Sequence, residues 1–146
     1  TCGDYDLYWD NDVDRFRFRM FNGACDGTTL NASTLGSPST ATWYFIVAWH
    51  DATANTLNIQ INNGTADSTA ENFTTTDGVG SFLIGFQGAL GVNTNYMDGR
   101  IDEVGFWKKV LTAQERTDLY NGGAGNDITQ SPSVFTPKKQ VITSGF

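Results

Sequence analysis

Any chemistry in this chain has to be built from carboxylates, amides and aromatic rings. There is one histidine, His50, and there are two cysteines, Cys2 and Cys25. No serine or cysteine sits in a nucleophile motif, so Ser–His or Cys–His catalysis has no candidate constellation. One histidine and two cysteines are also too few donors for a transition-metal centre. The acids that share a strand-like context are Asp98, Asp102 and Glu103. Retaining hydrolysis of a glycosidic bond needs two carboxyls about 5–5.5 Å apart. Adjacent Asp102 and Glu103 would point to opposite faces of a strand. They read as structural acids, and the chain as a non-enzyme.

Two binding constellations are more promising. Asp10-Asn11-Asp12-Val13-Asp14 gathers oxygens at an expected hairpin tip, and calcium takes about six to eight oxygen ligands. Asp10, Asp12 and Asp14 are therefore candidate Ca2+ ligands, although the EF-hand pattern of Gly and Glu is missing. The rival reading is a solvated acidic turn, partly neutralised by Arg15. The second constellation is a glycan surface of Tyr44, His50, Asn58, Gln60 and Asn62, a ring for sugar C–H faces and amides for hydroxyls. Loops 34–40 and 87–96 could wall it, the latter through Asn93, Asn95 and Tyr96. Against this, Ile46 and Ala48 on the same face invite cover by a neighbouring segment or subunit.

Composition narrows the class. With 146 residues, the size prior is one domain with a substantial core. Ten Phe, five Tyr and four Trp beside sixteen Gly fit short strands and turns. A net charge of −7 argues against a general nucleic-acid binder. No apolar run approaches the roughly 20 residues of a membrane helix, so membrane insertion is not expected. The chain begins at Thr1 without an initiator Met, as a processed chain or the ordered part of a longer one would. Sequons at Asn31, Asn63 and Asn72 are what chance gives in so Asn-, Ser- and Thr-rich a sequence.

The elements must position these groups. Residues 4–21 read as a hairpin in which Trp9 faces Phe16, Leu7 faces Phe18 and Tyr5 faces Met20 on a buried side. Its polar side sets Asp10 opposite Arg15 and Asp6 opposite Arg19, so Arg15, Arg17 and Arg19 read as cross-strand partners of acids. An anion-binding stripe is the other reading. The same register brings Cys2 and Cys25 within diagonal reach of a disulfide, which implies an oxidising, extracellular setting; free thiols would remove that support. Residues 28–33 are a weak strand. Residues 42–50 are a strong one, pairing Trp49 with Leu57, Val47 with Ile59 and Phe45 with Ile61 across a five-residue turn, 51–55. Residues 65–80 are loop-like with an edge strand at most, 82–86 a short strand and 87–95 a loop. Short antiparallel strands at this spacing with one late helix indicate an all-β antiparallel sandwich.

Residues 97–123, MDGRIDEVGFWKKVLTAQERTDLYNGG, carry the sharpest signal. Gly99–Trp107 alternates imperfectly and predicts a strand with a bulge near Asp102–Glu103. Thr112 and Glu115 form a capping box, and Asn121-Gly122-Gly123 supplies the stop of a helix of about nine residues. This stretch resembles the C-terminal signature of the laminin G-like, concanavalin A-like jelly-roll superfamily. WYFIVAWHD followed by LNIQINNG resembles the family's tryptophan-strand hairpin. Together the matches cover roughly residues 42–123. The resemblance implies a jelly-roll sandwich with one short C-terminal helix over residues 1–125, followed by an extended tail, 126–146. Glycanases resembling this fold carry Glu-x-Asp-x-x-Glu on one strand, and that spacing is missing here. The resemblance also raises the expectation of calcium at a sandwich edge. The expected function is a non-catalytic carbohydrate-binding or adhesion module, extracellular or on a cell or virion surface. The alternative is a structural decoration or fibre domain of a phage, virus or surface assembly with a protein partner. Val134, Phe135, Val141, Ile142 and Phe146 would let the tail dock on its own domain or on a partner, including a second copy in a homo-oligomer; a solvated linker to a further domain is the rival reading.

Overall fold

Alternation of apolar and polar side chains is realised as strands wherever a turn follows at the right length. The computed structural model describes residues 4–71, 82–89 and 92–126. Its first sheet is β1 (Tyr5–Asp10), β2 (Arg15–Phe21) and β3 (Gly27–Asn31), antiparallel and in that order. The second is β4 (Ile46–Asp51), β5 (Thr56–Ile61) and β6 (Asp67–Ala70). A two-stranded ribbon, β7 (Gln87–Ala89) and β8 (Val92–Thr94), precedes the helix α1 (Ala113–Tyr120). The two sheets pack as a small β-sandwich. Phe18, Met20, Leu30 and Ala32 of the first meet Leu57, Ile59 and Ile61 of the second, and Phe16, Leu35, Tyr44, Ile46 and Ala48 close the rim.

The first hairpin has the expected register, with Tyr5 opposite Met20, Leu7 opposite Phe18 and Trp9 opposite Phe16. Its burial differs from expectation. Phe18 and Met20 are 6% and 0% exposed, whereas Tyr5, Leu7 and Trp9 remain about half exposed at 49%, 49% and 51%. The second sheet lies over β2 and β3 and stops short of β1. Phe21 N donates to Asp4 O. Antiparallel alternation therefore turns the N–H and C=O of Tyr5, Leu7 and Trp9 toward the free side of the strand.

The second hairpin is shifted by one residue from the sequence reading. Trp49 faces Asn58, Ala48 faces Ile59 and Ile46 faces Ile61. The reason is the turn. Asp51 belongs to the ladder, opposite Thr56, and its Oδ1 accepts from Thr53 N and Ala54 N, while Asn55 takes a positive φ of 51°. The loop thus has four residues rather than five, and one residue of slip exchanges the faces of β4. Ile46, Ala48 and His50 join the core side, and Val47 and Trp49 join the outer side beside Asn58 and Gln60. Paired strand begins only at Ile46, with Phe45 N held by the Asn62 side chain at 2.9 Å.

Three further expectations change. Residues 82–86 form irregular chain with bends at 84–86, and strand falls instead at 87–89 and 92–94, where a loop was expected. Residues 95–110 carry no strand. The strand with a bulge near Asp102–Glu103 is therefore not formed; instead Glu103 takes φ 50° in irregular chain and its N–H donates to Asp102 Oδ1. With no neighbouring strand to pair with among the described residues, Ile101, Val104 and Phe106 stay exposed. The helix, by contrast, is as read. Thr112 caps Glu115 N, the Glu115 side chain returns to Thr112 N, and Asn121 ends the helix in the left-handed region. Leu119 and Leu111 are its buried contacts. The expected tail lies outside the described residues beyond Asn126, and no described helix is long and apolar enough to cross a membrane.

Candidate functional site

The structure does not assemble the glycan surface expected from sequence. The register shift puts Tyr44 and His50 on the core side of the second sheet, and Asn58 and Gln60 on its outer side. Tyr44 packs edge-on against Phe16 at 5.2 Å and its hydroxyl accepts from Ser39 N. His50 Nε2 lies 2.9 Å from the Glu71 carboxylate, itself 3% exposed. Asn58 is buried and donates to Thr56 O and Oγ1. Gln60, also buried, donates to Gly64 O and accepts from Arg116 Nε at 2.7 Å. Arg116 also stacks over Trp49 at 4.5 Å, and Tyr120 meets Phe45 at 5.6 Å. The helix therefore covers the Gln60 amide through Arg116, while Asn58 is spent on Thr56. Asn62 turns back to Phe45, Asn93 pairs with Gly88 in the β7–β8 ribbon, Asn95 takes φ 53°, and exposed Tyr96 stacks on Phe86 at 5.9 Å.

The hairpin tip is also committed locally. Asp10 Oδ1 accepts from Asp12 N and Val13 N, and Oδ2 accepts from Arg17 Nη1 at 2.5 Å. No group of three His, Cys, Asp or Glu side chains able to hold a metal occurs among the described residues. Cys25 is disulfide-bonded; Cys2, the other cysteine of the chain, lies outside the described residues.

What does converge is the outer face of the first sheet. Alternation places Asp6, Tyr8 and Asp10 of β1, Arg17, Arg19 and Phe21 of β2, and Thr29 and Asn31 of β3 on this side. Phe21 lies over Gly27, where a Cβ would come 2.9 Å from its ring. The Arg19 guanidinium stands 4.5 Å from the Phe21 ring and 5.3 Å from the Tyr8 ring, and Arg17 stands 5.9 Å from Tyr8 on the same row. Asp6 holds Arg19 Nη2 at 2.6 Å and Asp10 holds Arg17 Nη1. The ion pair to Asp10 thus comes from the diagonal Arg17, while Arg15 reaches Asp14 O and Ser37 Oγ. All these side chains are half-buried and mutually wedged.

The electrostatics follow from the contacts. The hydrogen bond from Arg17, with the backbone N–H groups of Val13 and Asp12, holds Asp10 below the ordinary carboxylate range against the opposing effect of burial. Among the described residues, the buried side-chain polar atoms without a hydrogen bond are Arg17 Nε, Arg19 Nε and Asn31 Oδ1, all on this face. Aromatic π faces partly stand in for acceptors at the two Nε–H groups. Asn31 Oδ1 has no such substitute, and an unsatisfied buried acceptor costs about 1–3 kcal/mol. Sequence reading found the Asp6–Arg19 pair, gave Asp10 to Arg15 instead of Arg17, and missed the platform. The clue was Tyr8, the one aromatic on the acid side of β1, centred between Asp6 and Asp10.

The two packed antiparallel sheets define a small jelly-roll β-sandwich domain. The chain belongs to the concanavalin A-like lectin/glucanases superfamily, whose laminin G-like family model matches residues 1–115. No curated protein and no solved structure matches it.

Proposed function

We propose that this domain is a non-catalytic carbohydrate-binding module of a secreted or surface-displayed protein, holding its glycan on the outer face of the first sheet. The observation that carries the reading is the row Asp6–Arg19–Tyr8–Arg17–Asp10. Two fixed carboxylates and two guanidinium forks on either side of one ring offer paired acceptors and donors, the complement of vicinal hydroxyls. The wedged geometry limits the side-chain ordering that binding would otherwise cost. The disulfide at Cys25 fits an oxidising compartment.

A glycan array at neutral pH, read with and without chelator, tests this. We expect binding that Arg17→Ala and Tyr8→Ala each weaken at least about tenfold, a loss of 1.4 kcal/mol. Because the Asp10 carboxylate is already engaged, chelation should leave the signal unchanged. Equal binding by both variants would move the glycan elsewhere, and turnover of a polysaccharide would end the non-catalytic reading.

A structural decoration or fibre domain with a protein partner is the second reading. The half-exposed row Tyr5, Leu7 and Trp9 on the edge strand β1 favours it. A silent array together with oligomers in light scattering would select it.

A further inference from the structure

We infer a second, smaller ligand site at one end of the sandwich, which takes a single polyhydroxylated ring. It is a cavity of about 250 Å³ between the loop after β3 and the turn after β5. This inference takes its ligand class from the saccharide reading above, but its location stands on separate residues.

The walls are fixed before any ligand arrives. Thr34 donates its backbone N–H and its hydroxyl to the Asp67 carboxylate, at 3.0 Å to Oδ2 and 2.9 Å to Oδ1. Across the cavity, Asn62 and Asn63 both take positive φ, 51° and 55°, in a tight turn closed by Gly64 N to Ile61 O at 2.9 Å. Asn62 exchanges two bonds with Phe45, from its N–H to Phe45 O and from Phe45 N to its Oδ1. That fixes the amide and leaves Nδ2 as a donor. The Thr65 hydroxyl has no protein partner among the described residues. Leu35 and Ile61 supply an aliphatic floor.

The donor set selects the ligand. Asp67 and Thr65 want hydroxyl hydrogens, Asn62 Nδ2 wants a lone pair, and the floor wants C–H groups. A wholly apolar molecule would strip water from the carboxylate lone pairs that Thr34 does not fill. A multivalent anion would meet Asp67 and a chain of net charge −7. The volume lies below the roughly 300–1,000 Å³ of pockets for drug-sized ligands, so it suits one ring. That ring could be a free monosaccharide or the terminal unit of a glycan.

Amide and side-chain NMR titration with a panel of methyl hexopyranosides tests the site, with matched oligosaccharides in a second arm. We expect shifts at Asn62, Gly64, Thr65 and Asp67 from at least one methyl hexopyranoside. Thr65→Leu, a filling change at an exposed position, should weaken binding at least tenfold, and Asp67→Asn should do the same without closing the space. Arg17→Ala should leave these shifts unchanged. Tighter binding of the oligosaccharide identifies a chain-end site, and equal binding a free-sugar site. Silence across the panel, or shifts that survive Thr65→Leu, overturns the inference. Loss of array binding with retained shifts at the cavity would sink only the sheet-face reading.

Discussion

Asp10 shows how much one side chain can organise. Its two carboxylate oxygens close the β1–β2 turn and hold Arg17 against Tyr8. Folding lowers its pKa from the usual 3.8, first through the Arg17 hydrogen bond. A depressed carboxylate contributes stability that is complete above the unfolded pKa and withdrawn as pH falls through the folded value. Glu115, lowered chiefly by Lys109 and then by Thr112 N, behaves alike. Unfolding midpoints followed from pH 6 to pH 2 should therefore fall below about pH 4, and Asp10→Asn should flatten part of that slope. A midpoint falling equally in wild type and variant would remove Asp10 from the acid response. On the same row, Asn31 would have been found from sequence only by knowing that Arg17 stands opposite it in the third strand.

The helix is held to the sheet by polar and aromatic contacts more than by an apolar stripe. Eight residues are too few for a stable isolated helix. Besides the buried Leu119, the docking contacts are Arg116 on Gln60 and Trp49, Thr117 on Asn63 and Tyr120 on Phe45. Hydrogen bonds from charged groups contribute about 1.5–3 kcal/mol and cation–π contacts about 0.5–2. Arg116→Ala should cost about 2 kcal/mol by denaturant unfolding and expose the helix to limited proteolysis, whereas Thr112→Ala should cost about 1. The helix was fully legible, because capping is written in residues three apart. The register of the first hairpin was legible too, where charge and apolar alternation agree, but the exposure of Tyr5, Leu7 and Trp9 was not. The second hairpin was not, since both of its strands carry enough apolar residues to satisfy either register. Nor was the covering of Gln60, because Arg116 lies 56 positions from it in sequence.

Across the whole molecule, a three-strand-on-three-strand core and one disulfide must offset the entropy of the chain. Met20→Ala, at a site with no exposure, should cost about 2–5 kcal/mol. Cys25→Ser should cost a similar 2–5 kcal/mol, and adding reductant should destabilise wild type but not this variant. The four-residue turn after β4 has a consequence for the route by which the fold is reached. Local hairpins close in microseconds, well before distant segments dock. The slipped pairing of Trp49 with Leu57 and Val47 with Ile59 is apolar enough to form early. Only the arrival of Arg116 over Trp49 and of the first sheet on Ile46 and Ala48 rewards the native pairing. Refolding followed by tryptophan fluorescence should thus show a slow escape from a misregistered hairpin. Asp51→Ala, which removes the carboxylate that holds Thr53 N and Ala54 N, should enlarge that phase; single-exponential recovery in both proteins would show that the trap is never visited.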